Sequence, residues 1–180
     1  MEELHLIDEV QRLAVTLRMI KFEARTSTIR RATQLSDERI RRLYRDQNVS
    51  TIQRHRGRSP SSAGQYTRNY AMQLESSILS GVLVKRGLLR GHHAKHWLCG
   101  ESGYAQCFCD AYEEYLPMAY GAALSFEQAW YFAYKLAAHE ELYLQYCSRC
   151  KGHFVRDAAT VLRHRCPLCQ LRECSALGAC

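Results

Sequence analysis

Two Cys-x-x-Cys pairs, Cys147/Cys150 and Cys166/Cys169, lie fifteen residues apart and constrain this 180-residue chain more than any other feature. Each pair turns tightly enough to offer two thiolates to one ion, and two pairs complete a tetrahedron with no position left for a substrate water. The spacing therefore predicts one structural Zn2+ per chain, held by Cys147, Cys150, Cys166 and Cys169. The ion would supply folding free energy to a short polar segment, 145–172, whose own small core would be Phe154, Val155 and Leu162. His153 and His164 lie near enough in sequence to replace one thiolate. The chain has nine cysteines, an odd number, and its start, Met-Glu-Glu-Leu-His, lacks the basic and then apolar opening of a secretory signal. No run approaches the roughly 18 to 20 apolar residues that span a bilayer. A cytoplasmic protein without a membrane segment is expected, where clustered cysteines point to metal before disulfides.

The remaining cysteines read differently. Cys99, Cys107 and Cys109 fall in an aromatic-rich stretch where a free thiol serves as a small hydrophobe, and Cys174 and Cys180 sit on a tail, unpaired. His92, His96 and Cys99 are spaced to share one helix face as a second metal site, against the commoner reading of a partly exposed histidine cluster.

Net charge is +7, unevenly placed. In segment 25–72 eleven arginines face Asp37, Glu38 and Asp46, a balance of +8. Segment 145–172 carries +5, and residues 73–144 between them sum to −3. All but one of the 17 basic residues at the two ends are arginine, whose planar fork suits phosphate and guanine better than the point charge of lysine. A solvated surface is the bland alternative.

Apolar periodicity makes the chain mainly α. Leu6, Val10, Leu13, Leu17 and Ile20 step by 4, 3, 4 and 3, predicting an amphipathic helix over about 5–25. Residues 48–68 collect Gly, Ser and Pro and read as a basic linker. Beyond it, Tyr70, Leu74, Ile78, Leu79 and Val82 suggest a helix stopping near Gly87, and Tyr104, Phe108, Tyr112 and Tyr115 another stopping before Pro117. Ser125 and Gln128 have capping-box spacing ahead of a helix-friendly run from Ala129 to Glu141. The expected regions are 1–47 (N-terminal helices), 48–68 (linker), 69–144 (helical core), 145–172 (zinc module) and 173–180 (tail).

Within Thr26–Gln47 a short helix with Ile29 inward, a turn at Gln34-Leu35 plugged by Leu35, and a second helix capped by Ser36 have the form of a helix-turn-helix, without the favoured turn glycine. On the second helix Ile40, Leu43, Tyr44 and Gln47 would face inward, while Arg42 and Arg45 point away with Arg39 and Arg41 on the flanks. Such a helix can lie along a major groove and bridge its phosphate walls. An ordinary helical hairpin with a charged outer face has the same pattern.

The order of basic hairpin, helical middle and late four-cysteine cluster resembles the flagellar transcriptional activator family, FlhC. The residues that carry the likeness are Ala32-Thr33-Gln34-Leu35-Ser36 with Arg39, Leu43 and Tyr44; Ala129-Trp130 leading to Glu141-Leu142 and Leu144; and Cys147-x2-Cys150-x-Gly152-x-Phe154 with Cys166-x-Leu168-Cys169-Gln170. The resemblance implies a DNA-binding subunit that holds zinc on those four cysteines. It also implies assembly with a small helical D subunit into a hetero-oligomer, a heterohexamer, which binds promoters and recruits RNA polymerase to flagellar operons.

The function expected is thus that of a transcriptional activator. Double-stranded promoter DNA would meet Arg30, Arg31, Arg39, Arg41, Arg42, Arg45, Arg54, Arg56 and Arg58, together with Arg149, Lys151, Arg156, Arg163 and Arg165 of the zinc module. No His-Glu-x-x-His, Gly-x-Ser-x-Gly or phosphate-loop motif occurs, so no enzyme is expected. The alternative is a zinc-ribbon protein mediating protein or RNA contacts without promoter specificity, disfavoured by Phe154 being the one aromatic inside the cluster.

Overall fold

The computed structural model describes residues 2–47, 62–89, 102–139, 141–159 and 165–177. Their order is α1 (Glu2–Lys21), α2 (Thr26–Thr33), α3 (Asp37–Asp46), a 3-10 turn (Ala63–Tyr66), α4 (Tyr70–Lys85), α5 (Ser102–Tyr115), a second 3-10 turn (Leu116–Met118), α6 (Phe126–Ala138), β1 (Leu142–Tyr146), β2 (His153–Asp157) and α7 (Pro167–Leu177). The fold is mainly helical, as its periodicity predicts, with one two-stranded antiparallel sheet in which Leu144 pairs with Val155 and Tyr146 with His153. No helix among the described residues is long and apolar enough to cross a membrane.

One apolar core joins the N-terminal helices to the helical middle and reaches into the hairpin, from Met19, Ile29 and Ile40 through Leu79, Phe108 and Phe132 to Leu142 and Val155. Phe126, from the first turn of α6, stacks on Phe22 at 5.4 Å and meets Phe108 and Tyr112 edge-on at 5.4 and 5.1 Å. The Ser125–Gln128 capping box forms as the sequence indicates, with both reciprocal bonds present. Arg18 of α1 ties that helix to α5 through Asp110 at 2.7 Å and Glu113 at 2.9 Å.

Four local expectations are corrected. In α1 the core face is Val15, Thr16, Met19 and Ile20, whereas Val10 and Leu17 from the expected stripe lie exposed, because the helix carries a second apolar line on its far side. The end of the segment read as a linker is packed: Tyr66 is fully buried and donates its hydroxyl to the Gln128 carbonyl at 2.7 Å. The last helix of the middle stops at His139, which adopts a left-handed conformation (φ 55°), and Leu142–Leu144 form a strand rather than the end of a helical region. Val155 belongs to the main core rather than to a separate core of the cysteine segment, while Leu162 lies outside the described residues.

Helix α4 is unusual in burying polar side chains: Gln73, Glu75, Ser76, Ser77 and Ser80 are all buried. Each of three has a distant task. Ser77 Oγ accepts from the Val155 N–H at 3.1 Å, and Gln73 Nε2 donates to the Val155 carbonyl at 3.0 Å, so the outer edge of β2 is closed by side chains in place of a third strand. Glu75 accepts from the Tyr115 hydroxyl at 2.8 Å and the Gly121 N–H at 2.6 Å, fixing the turn after α5. Removing the Ser77 hydroxyl leaves a buried amide unpaired at a cost of about 1–3 kcal/mol. Ser77→Ala should accordingly lower the urea unfolding midpoint, and an unchanged midpoint would show that Val155 finds another partner.

Candidate metal centre and basic surface

The hairpin and the start of α7 each deliver one cysteine pair. At the end of β1 the chain turns back with the Cys147 N–H donating to the Gly152 carbonyl at 2.8 Å and the Lys151 N–H to the Cys147 carbonyl at 2.9 Å, with Lys151 in the left-handed region (φ 61°). The second pair straddles the start of a helix: Cys166 precedes Pro167, the first residue of α7, and its carbonyl accepts from the Cys169 and Gln170 N–H groups at 3.1 Å each. Proline suits that first position because its missing N–H would have no partner there.

All four Sγ atoms lie within 4.8 Å of one another, with Cys147–Cys169 and Cys150–Cys166 at 3.7 Å. A tetrahedron of thiolates about 2.3 Å from a central ion has sulfur–sulfur edges of about 3.8 Å, so the cluster can hold one metal ion with every corner filled. Phe154 and Leu168 pack against it. His153 is no competitor for a corner: its ring is exposed and lies edge-on to Tyr146 at 5.5 Å. His164 lies outside the described residues, as do His92, His96 and Cys99 of the suggested second site. Of the other cysteines, Cys109 is fully buried, and burial pushes its thiol up to about 12, as befits a small hydrophobe.

The thiols are not equivalent. The N–H groups of Cys150 and then Arg149 point at Cys147 and draw its thiol down to about 6, whereas burial raises Cys166, and burial with the neighbouring thiols raises Cys169 to about 12.

The basic hairpin forms with the turn the sequence suggests. Gln34 takes the left-handed conformation (φ 59°) that glycine would have adopted, Leu35 is buried at the corner, and Ser36 Oγ accepts from the Arg39 N–H at 3.3 Å. Ile29 and Ile40 are fully buried and Tyr44 nearly so, its hydroxyl bonded to the Ala24 carbonyl. Gln47, expected inward, is exposed, because α3 ends at Asp46. Glu127 of α6 supplies the acceptor that the start of α2 lacks, taking the Arg25 N–H at 2.6 Å and the Thr28 hydroxyl at 3.0 Å.

Arg30, Arg31, Arg39, Arg41, Arg42 and Arg45 are all exposed. Arg39 pairs with Glu9 of α1 at 2.7 Å, Arg30 with Asp37 at 3.4 Å and Arg42 loosely with Asp46 at 4.0 Å. Arg31, Arg41 and Arg45 have no ion pair among the described residues. Around the cysteines Lys151 and Arg165 are exposed, Arg149 pairs with Glu173, whose carboxyl it holds below the ordinary range, and Arg156 donates to Gln145 at 2.9 Å while lying over the Tyr143 ring. Arg54, Arg56, Arg58 and Arg163 lie outside the described residues. The residues sequence reading overlooks here are Gln73, Ser77 and Glu127, which position both features from other helices; polar residues at buried-helix spacing in α4 were the available signal.

Compared with known protein families, residues 1–176 match the family described as flagellar transcriptional activator (FlhC). A comparison with curated protein sequences returns no match.

Loss of one corner should empty the metal centre. Cys147→Ser is expected to lose its bound metal and to expose the hairpin and α7 to protease; retained metal and resistance would show that the four thiolates do not act together. Protons compete for Cys166 and Cys169, whose thiols are raised, so metal affinity should rise with pH, and metal titration at about pH 7.5 should release a proton from each. Proton release that is zero would refute that assignment.

Proposed function

Because the chain belongs to the flagellar transcriptional activator family (FlhC), we propose that it is the zinc-holding, DNA-binding subunit of a hetero-oligomeric activator. That family is one of transcriptional regulators rather than enzymes, and the match over residues 1–176 carries the reading.

In this reading the ion is Zn2+, one per chain, on Cys147, Cys150, Cys166 and Cys169. Four soft thiolates at tetrahedral spacing suit Zn2+, and a filled shell supplies a crosslink in place of chemistry. The cysteines fix the end of the hairpin and the start of α7 to each other, and the exposed Lys151 and Arg165 are carried on that support.

Double-stranded promoter DNA is met by the basic hairpin. Leu35 and Ile40 lock α3 to the body, and its opposite side presents Arg41 and Arg45, one helical turn apart and without ion pairs among the described residues. Lying along a major groove, such a row neutralises phosphates and can fork onto guanine edges. Arg54, Arg56, Arg58 and Arg163 extend the basic surface by sequence. Assembly with a small helical D subunit and recruitment of RNA polymerase to flagellar promoters complete the proposal, in the cytoplasm.

Each phosphate neutralised releases counterion, so binding should weaken steeply with salt. The Arg41→Ala/Arg45→Ala variant should bind a flagellar promoter duplex more weakly and flatten the plot of log affinity against log salt by about one unit for each phosphate left without its arginine. Binding as tight as the parent's would move the DNA surface away from α3. Binding single strands more tightly than duplex at equal salt would favour the RNA-type alternative.

A further inference from the structure

The four clustered cysteines differ in how far solvent reaches them. Cys147 and Cys150, at the turn of the hairpin, are partly exposed, whereas Cys166 and Cys169, at the start of α7, are buried. Each partly exposed sulfur has a buried one across the cluster at 3.7 Å: Cys169 for Cys147 and Cys166 for Cys150. Metal-bound sulfur is thiolate, the form that attacks an electrophile, so the outer two are nucleophiles that solvent can reach, each with a second thiolate behind it. Cys107 and Cys109 lack that arrangement. Cys109 is fully buried, and Cys107 donates to the Arg86 carbonyl at 3.9 Å with its thiol raised by burial.

Two features separate Cys147 from Cys150. A side chain added at Gly152 would stand 3.6 Å from both Cys150 Sγ and Leu168 Cδ1, so backbone and leucine crowd Cys150. Arg149, paired with Glu173 of α7, spans the hairpin and the helix, and its charge acts on Cys147 and Cys169. A cation in that place stabilises the negative oxygen that leaves when a thiolate opens a peroxide bond. We propose that Cys147 is an oxidation site for hydroperoxides, resolved by Cys169 as a disulfide that takes the place of the metal. The proposal rests on the thiolate-held Zn2+ of the reading above and not on DNA binding.

With hydrogen peroxide, Cys147 Sγ attacks one oxygen, the O–O bond breaks and hydroxide leaves, giving a sulfenic acid. The Cys169 thiolate then attacks that sulfur, forming the S–S bond and releasing a second hydroxide. Each thiolate has lost one electron, the peroxide has gained two, and the hydroxides take protons from solvent. The sulfurs close from 3.7 Å to the about 2.05 Å of a disulfide. With two of its four ligands spent, the shell is incomplete and the ion is released. The hairpin turn and α7 stay joined by a covalent bond, so the exposed Lys151 and Arg165 keep a common support without metal. A dithiol followed by zinc reverses the change.

The test treats the full-length, zinc-loaded protein with hydrogen peroxide, follows zinc with a chromogenic chelator and maps disulfides by mass spectrometry of unreduced peptides. One zinc should appear for each disulfide, the linked peptides should be those carrying Cys147 and Cys169, and Cys107 should still be reduced when release is complete. Dithiothreitol followed by zinc should restore the starting zinc content. Arg149→Gln should hold as much zinc as the parent and release it several-fold more slowly, and Arg149→Lys should recover the parent rate. A protein that binds no zinc would refute the metal reading and this proposal with it. Zinc that survives until Cys107 is oxidised, or a first disulfide between any other pair, would overturn the proposal and leave the metal reading standing. An unchanged rate in Arg149→Gln would overturn the choice of Cys147 over Cys150.

Discussion

Among the described residues the outer edge of β2 has no neighbouring strand, and the backbone of Val155 is satisfied by two side chains of a single helix. Gln73 and Ser77 occupy the place of a third strand, one bonding the carbonyl and the other the N–H. A two-stranded hairpin is marginal in water, and this one gains its second support from α4 and its third from the cysteine cluster at its turn. The same helix uses Glu75, which lies on its opposite side, to fix the chain after α5, so buried polar groups on two sides of α4 organise both the cysteine-bearing end and the middle of the protein. Burying so many polar atoms is costly unless each is matched, which places strict demands on the register of α4 against the hairpin.

The features most legible in the sequence were those whose chemistry is local. Thiolate spacing declares itself over about twenty residues, and Ser36 ahead of Asp37 and Glu38, like Ser125 ahead of Gln128, announces a helix start within one turn. What escaped were features decided at a distance. Leu142–Tyr146 follows a helical run with neither glycine nor proline between, and only the pairing with His153–Asp157 makes it a strand. Tyr66 lies in a stretch with the composition of a linker, yet its ring is buried against Phe132 at 5.0 Å. In α1 the 4-3-4-3 spacing mixed residues from two apolar faces, and only packing shows which of them meets the core.

Arginine number overstated the free charge. Arg30, Arg39 and Arg149 are engaged in ion pairs and Arg156 is laid across β1, so part of the positive surface read from composition is already taken up by the protein's own carboxylates and amides. These pairs sit near the surface, where each contributes little to stability, and a stronger anion can exchange for the acid. The cost of freeing an arginine thus differs from position to position, which composition alone does not reveal.

The basic hairpin is mounted from several sides. Glu127 reaches from α6 to the start of α2, Tyr44 ties α3 to the Ala24 carbonyl, and Ile40 of α3 is fully buried in the core. Held in this way, α3 is seated on the body through buried contacts. In a complex made through that face the accommodation falls to the other body, and for a duplex this means bend and groove width, properties that vary with base sequence even where no side chain touches a base.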